Sequence, residues 1–196
     1  MSQATKSTLS VSLHPGPSEL VVEYTFTNGE GQTALLYNRL SIVSADGSSS
    51  HIDPHAAYVE LSGATLHVRQ VVLALPPGLQ AAERLSPYLS KVEAGQSVKE
   101  KVVLPLPVKV DQPYLRALLQ SKAPAGHRIS ASRPAQATSV TFSLGMVVLA
   151  QGERLIETDP GVYRIWPPGP AMGRQVVLEE TMDSAKALMD VLDYDG

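Results

Sequence analysis

Apolar and polar residues alternate along most of this chain. Leu9, Val11 and Leu13 are interleaved with Ser10 and Ser12, and Leu20, Val22, Tyr24 and Phe26 with Glu23, Thr25 and Thr27. Val98, Val102 and Leu104 stand opposite Lys99 and Lys101. Val140, Phe142, Leu144, Met146 and Val148 form the longest such run. A period of two puts successive side chains on opposite faces, the pattern of a half-buried β-strand. Further strands are read at Ala34 to Val43 (Leu36, Leu40 and Ile42 inward alongside Asn38), Tyr58 to Leu61, Thr65 to Leu75, Arg154 to Thr158, Val162 to Trp166 and Arg174 to Glu179. Val71 to Leu75 is apolar on both faces, as in a strand covered on both sides. Turn signals separate the runs: Asn28-Gly29-Glu30-Gly31, Ala94-Gly95, Gln151-Gly152 and Asp159-Pro160-Gly161. They predict antiparallel hairpins over 20–43 and 139–158.

Helical spacing is rare. Leu115, Leu118 and Leu119 follow a start at Asp111-Gln112-Pro113 and predict a short helix over 113–121. One helical turn is expected over 81–85, and the Pro/Ala/Ser/Arg stretch 122–136 reads as a loop. Thr181 to Leu192 places Met182, Ala185, Leu188, Met189 and Leu192 at helical spacing, an amphipathic helix or tail. The domain layout is therefore a flexible segment 1–8, a β-sandwich over 9–180 and an acidic C-terminal helix or tail over 181–196. About eight to ten short strands, with turn signals at short intervals, are the mark of an all-β sandwich or barrel.

Composition narrows the chemistry. The chain contains no cysteine, which removes disulfides, thiolate metal sites and cysteine nucleophiles. Fifteen prolines and fourteen glycines suit many turns. The net charge is −3, but Val177 to Gly196 holds six acids against the single base Lys186. The remainder is slightly positive and has no dense basic patch, so nucleic-acid binding is not expected. The first residues lack the apolar core of a signal peptide, and no stretch has the length of a membrane span. A cytoplasmic protein without membrane insertion is the expectation.

Candidate functional residues are few. His51, Asp53 and His55 form the one cluster of metal-ligand types and would serve a metal-dependent enzyme. The plainer reading is a pair of surface histidines, since Pro54 prevents one helix from presenting both. No G-x-S-x-G elbow occurs, and Gly29-Glu30-Gly31 and Gly169 to Gly173 lack the remaining elements of a phosphate loop. Tyr163 and Trp166 would contact a peptide or sugar, or else close one end of the core. Met182, Leu188, Met189 and Leu192 would dock on the protein's own sheet or in another chain's groove. The acids of the tail complement Lys122, Arg128 and Arg133.

Val92-Glu93-Ala94-Gly95-Gln96-Ser97-Val98, a small-residue turn feeding an alternating strand, resembles a late turn-and-strand of bacterial immunoglobulin-like domains. The resemblance is architectural, covers residues 8–165 loosely and carries no functional residue across. The Cys-Trp-Cys pins of antibody domains are absent. It implies an antiparallel immunoglobulin-like β-sandwich with a short inserted helix and a C-terminal helix or tail. The function read from the sequence is a non-catalytic protein-interaction or assembly module with a protein partner or self-association. No catalytic residue and no cofactor are assigned. The alternatives are the metal-dependent enzyme and a small-ligand or carbohydrate-binding module.

Overall fold

A computed structural model describes residues 6–43, 49–77, 79, 85–183 and 189–195. Strands make up 58% of the described residues and helices 9%, so the all-β expectation holds. The strands are β1 (Thr8–Pro15), β2 (Glu19–Thr27), β3 (Ala34–Val43), β4 (Ser50–Asp53), β5 (Tyr58–Ser62), β6 (Thr65–Gln70), β7 (Tyr88–Val92) and β8 (Ser97–Pro105). They continue as β9 (Val108–Lys109), β10 (Ala131–Ala137), β11 (Ser139–Val148), β12 (Arg154–Asp159), β13 (Val162–Trp166), β14 (Val176–Asp183) and β15 (Met189–Tyr194). Two helices interrupt them, α1 (Pro113–Lys122) and α2 (Pro168–Gly173). Among the described residues no helix is long and apolar enough to cross a membrane.

The strands form three sheets. One is β1-β2-β8, antiparallel throughout. The largest runs β12-β13-β7-β3-β11-β6-β5, with β14 on β11 and β4 on β3. A small third sheet, β10-β15-β9, includes a parallel β15–β9 pair. The first two sheets face each other. Leu20, Val22, Tyr24 and Phe26 of β2 and Val102 and Leu104 of β8 share one core with Leu66, Val68, Val140, Phe142 and Leu144. The Tyr24 and Phe142 rings stack across the interface at 4.8 Å. A second core, under β3, β7 and β13, joins Leu35, Tyr37, Leu89, Ile165 and Ala171 of α2.

Most of the expected strands are present, but β6 ends at Gln70, so Val71 to Leu75 is not a strand, and the partners differ. The 20–43 segment is not a hairpin: β2 pairs with β1 and β8, while β3 pairs with β7, β11 and β4. The turn after Thr27 instead carries the chain from one sheet to the other. The turn 93–96 crosses beside it, and the buried Asn28 joins the two. Its N–H donates to Gln96 O, its C=O accepts from Gly95 N–H, and its side-chain amide donates to Val92 O and Gln32 O. Gly95 has φ 73°, a conformation that costs other residues a steric penalty. The 139–158 segment is not a hairpin either. β11 is filled by β14 along 139–146, by parallel β6 along 139–144 and by β3 at its end, so β12 pairs with β13 instead.

Two further expectations are corrected. The stretch 131–137 is a strand rather than a loop, because β15 offers it a complementary edge from Ala137↔Met189 to Ala131↔Tyr194. The C-terminal helix or tail is not formed over the described residues: Thr181–Asp183 ends β14 and Met189–Tyr194 is β15. Met189 and Val191 alternate with the exposed Asp190 as strand residues do, and their burial in the main core with Tyr194 goes with the strand. The inserted helix is present, with Gln112 Oε1 accepting from Leu115 N–H at 2.7 Å. Most of the turn expected over 81–85 lies outside the described residues.

Candidate functional site

Alternation on β8 turns Val98, Glu100, Val102 and Leu104 to one side, which makes Glu100 a charge on a core-facing row. It meets Arg39 of β3, in the opposite sheet. Arg39 Nη2 donates to Glu100 Oε1 at 2.6 Å and Nη1 to Oε2 at 2.9 Å. Asn38 Nδ2 donates to Glu100 Oε2 at 2.8 Å and to Tyr24 Oη at 3.2 Å. Tyr24 Oη lies 3.0 Å from both Glu100 Oε2 and Gln70 Oε1, which share its one proton. Gln70 Nε2 in turn holds Ala56 O at 2.9 Å. The Arg39 and Glu100 side chains keep only 16% and 17% of their surface.

Burial, reinforced by the Glu100 charge, pushes the Tyr24 phenol far above its ordinary value. Burial works against the Arg39 charge, but the Glu100 hydrogen bonds and charge outweigh it and leave Arg39 raised. Both Glu100 oxygens are occupied, so the carboxylate is a clamp between sheets and not an accessible base. Asn38 Oδ1 is buried without a hydrogen-bond partner among the described residues.

Outside this cluster the surface is concave. Arg39 and Pro54 line both of two open hollows of about 490 and 650 Å³. The first is bounded by His55, Lys99 and Lys101, the second by His51, Tyr88 and Asp159. On the other side of Tyr88 a cavity of about 350 Å³ has Tyr37, Leu89, Ile165 and Met172 in its lining, with Ile156, Arg164 and Trp166. Burial, then the nearby Glu153 charge, pushes the Tyr37 phenol up to about 12.

The β12–β13 hairpin builds the mouth of this cavity. Its turn, Asp159-Pro160-Gly161, is completed by Gly161 at φ 75°. The register sets Arg154 opposite Trp166 and Ile156 opposite Arg164, so these four side chains share one face. Trp166 is 61% exposed and Ile156 47%. The Arg164 guanidinium lies 4.3 Å above the Tyr88 ring. Neither Arg154 nor Arg164 has an acidic partner among the described residues.

β12 is also the outermost strand of the large sheet, paired among the described residues only with β13. Several other edges carry an obstruction. Val59 of β5 exchanges both backbone hydrogen bonds with Asp111. Val11 N–H of β1 donates to Glu180 Oε2 at 2.9 Å, and Val103 N–H of β8 to His55 O at 3.1 Å. β10 carries Pro134 and an irregular register. Along β12 the register is regular from Arg154 to Glu157 and shifts before Asp159.

The sequence-nominated residues are dispersed over this frame. His51 is exposed on β4 and lines the larger hollow. Asp53 Oδ1 accepts from His55 N–H, and His55 Nδ1 lies 3.0 Å from Lys101 O. Among the described residues no group of three or more His, Asp or Glu is arranged to hold a metal. Tyr163 and Trp166 do not share a platform: three residues apart on one strand, they face opposite sides. Tyr163 packs on the second core with Lys91 Nζ 6.0 Å from its ring, and Trp166 stands at the cavity mouth. Met182 packs on the main core, Met189 is buried in it and Leu192 is half-buried on β15; Leu188 lies outside the described residues. Arg133 pairs with Asp193, one of the predicted contacts between basic stretch and acidic tail.

Two features escaped the sequence reading. Glu100 was signalled by its place between Val98 and Val102 on an inward row. The Arg154–Ile156–Arg164–Trp166 square had no local signal, because it exists only through cross-strand register. No family model, curated protein or solved structure significantly matches the chain.

Proposed function

We propose that this protein is a non-catalytic protein-interaction module, built on an immunoglobulin-like sandwich, that captures an extended segment of a partner along β12. The observation that carries the reading is the meeting of an unobstructed sheet edge with an apolar cavity on the same hairpin. Strand addition needs those two parts: main-chain hydrogen bonds at the edge supply affinity, and pockets beside it select side chains. The regular stretch from Arg154 to Glu157 spans about 10 Å, at about 3.4 Å per residue. A cavity of 350 Å³ has room for one large apolar side chain. The buried Arg39–Glu100 clamp supports a rigid, non-catalytic body, since its groups are spent on each other.

A random-peptide display library selected on the protein, with Trp166→Ala and Ile156→Asp as counter-selection, tests this. Enriched peptides are expected to lose binding to both variants and to slow hydrogen exchange at the 154–157 amides. A library that yields no binder dependent on Trp166 or Ile156 sinks the reading.

A further inference from the structure

The charges around the open edge specify what kind of segment it takes. On the face shared by Arg154, Ile156, Arg164 and Trp166, cation and apolar group alternate in both directions, and no acid shares the square. The nearest acid on the strand, Glu157, pairs with Tyr163 on the opposite face, where its Oε1 accepts from Gly161 N–H. Asp159 lies beyond the register shift and lines the neighbouring hollow with Arg39.

The two arginines differ from most other cations described. Arg39, Arg69, Arg116, Arg133 and Arg174 all have carboxylate partners. Arg154 has none among the described residues, and Arg164 is held on the Tyr88 ring. A guanidinium stacked on an aromatic keeps its in-plane N–H fork available for a bidentate carboxylate. An ordered, unneutralised arginine beside a hydrophobic cavity is thus complementary to an anion adjoining an apolar group.

We infer that the segment captured on β12 is acidic: an extended peptide with one large apolar residue for the Trp166 cavity, flanked by carboxylates that engage Arg154 and Arg164. This rests on the strand-capture reading and adds the chemistry of its partner.

Trp166 is the chain's only tryptophan, so its emission reports on this site alone. The full chain is titrated with three acetylated hexapeptides that share a central leucine and carry glutamate, serine or lysine flanks. The glutamate peptide is expected to shift Trp166 emission to the blue and to bind about tenfold more tightly than the serine peptide, as two charge-assisted contacts allow. That advantage shrinks in 1 M salt, where the screening length is about 3 Å. Arg154→Glu, which leaves the Tyr88 stack intact, lowers the advantage, and adding Arg164→Glu transfers it to the lysine peptide. Circular dichroism confirms that both variants are folded.

Equal affinity for all three peptides, with the blue shift retained, overturns the acidic inference and leaves strand capture standing. No blue shift with any peptide overturns both. A shift produced by phosphatidylglycerol vesicles and by no peptide also overturns both, in favour of a lipid surface.

Discussion

Arg39 and Arg164 sit on the two strands that flank β7, and both approach Tyr88: Arg39 by pairing across from it, Arg164 by lying on its ring. Their circumstances are otherwise opposed. Arg39 is largely covered, and a carboxylate from the facing sheet meets its fork with two hydrogen bonds. Arg164 is exposed and meets no carboxylate. The first arginine fastens two layers of one molecule together. The second, with Arg154, presents charge outward next to an open cavity. Residue type alone thus says little about role; the presence of a neutralising partner separates a structural arginine from one available for recognition.

The sharpest way to break this contrast is to unpair the clamp. Glu100→Ala leaves the Arg39 charge without its carboxylate and takes one of two acceptors from each of Tyr24 and Asn38. Loss of one member of a buried pair costs about 3–5 kcal/mol, and the remaining solvent contact of both side chains places this case near about 3 kcal/mol. Urea denaturation measures it. Arg39→Met combined with Glu100→Leu should recover much of the loss, because no buried charge is then left alone. If the double variant is no more stable than Glu100→Ala, the clamp is not the pairwise device described.

A smaller effect is expected from alkali. Tyr24, Tyr37 and Tyr58 are buried phenols with raised pKa values, Tyr37 and Tyr58 each at about 12. A raised phenol pKa means that the folded state holds its proton more tightly than the unfolded chain. The associated stability is complete below pH 10, the ordinary tyrosine value, and is lost as pH rises through 12. For Tyr37 alone this is on the order of 2 kcal/mol. The phenolate absorbance should show a late step that coincides with loss of the far-ultraviolet signal. Ionisation of all seven tyrosines before unfolding would contradict the packing around the clamp and the cavity floor.

The open corner should respond least. Trp166→Ala removes a largely exposed ring and is expected to change stability by less than about 1 kcal/mol, although it abolishes peptide capture. A loss comparable to that of Glu100→Ala would show that Trp166 belongs to the core, and the contrast would collapse.

Much of the fold was legible in the sequence, because burial of one face imposes a period of two. The inward rows of β2, β8 and β11 were readable from their own residues. Pairing was not. A turn motif marks where the chain reverses, but cannot say whether the next strand joins the same sheet or the opposite one. After Thr27 the choice was made by Asn28, which joins two crossings distant in sequence. The C-terminal segment failed for another reason: Met182, Met189 and Leu192 have helical spacing, but Met189 also alternates with Val191, and the edge of β10 gives that second pattern a strand to pair with. The clamp was half legible, since Glu100 stands on an inward row and Asn38 on another, but nothing local joins Glu100 to Asn38 or Arg39. The recognition square required register, which belongs to no single stretch of sequence.

The obstructed edges bear on the valency of the molecule. Asp111 occupies β5, Glu180 intercepts β1, and Pro134 interrupts β10. A molecule that joins others through a single edge forms pairs and stops. Fibre growth needs two such edges, one to accept the last subunit and one to offer the next. Strand addition confined to β12 would therefore be self-terminating, with one segment per chain.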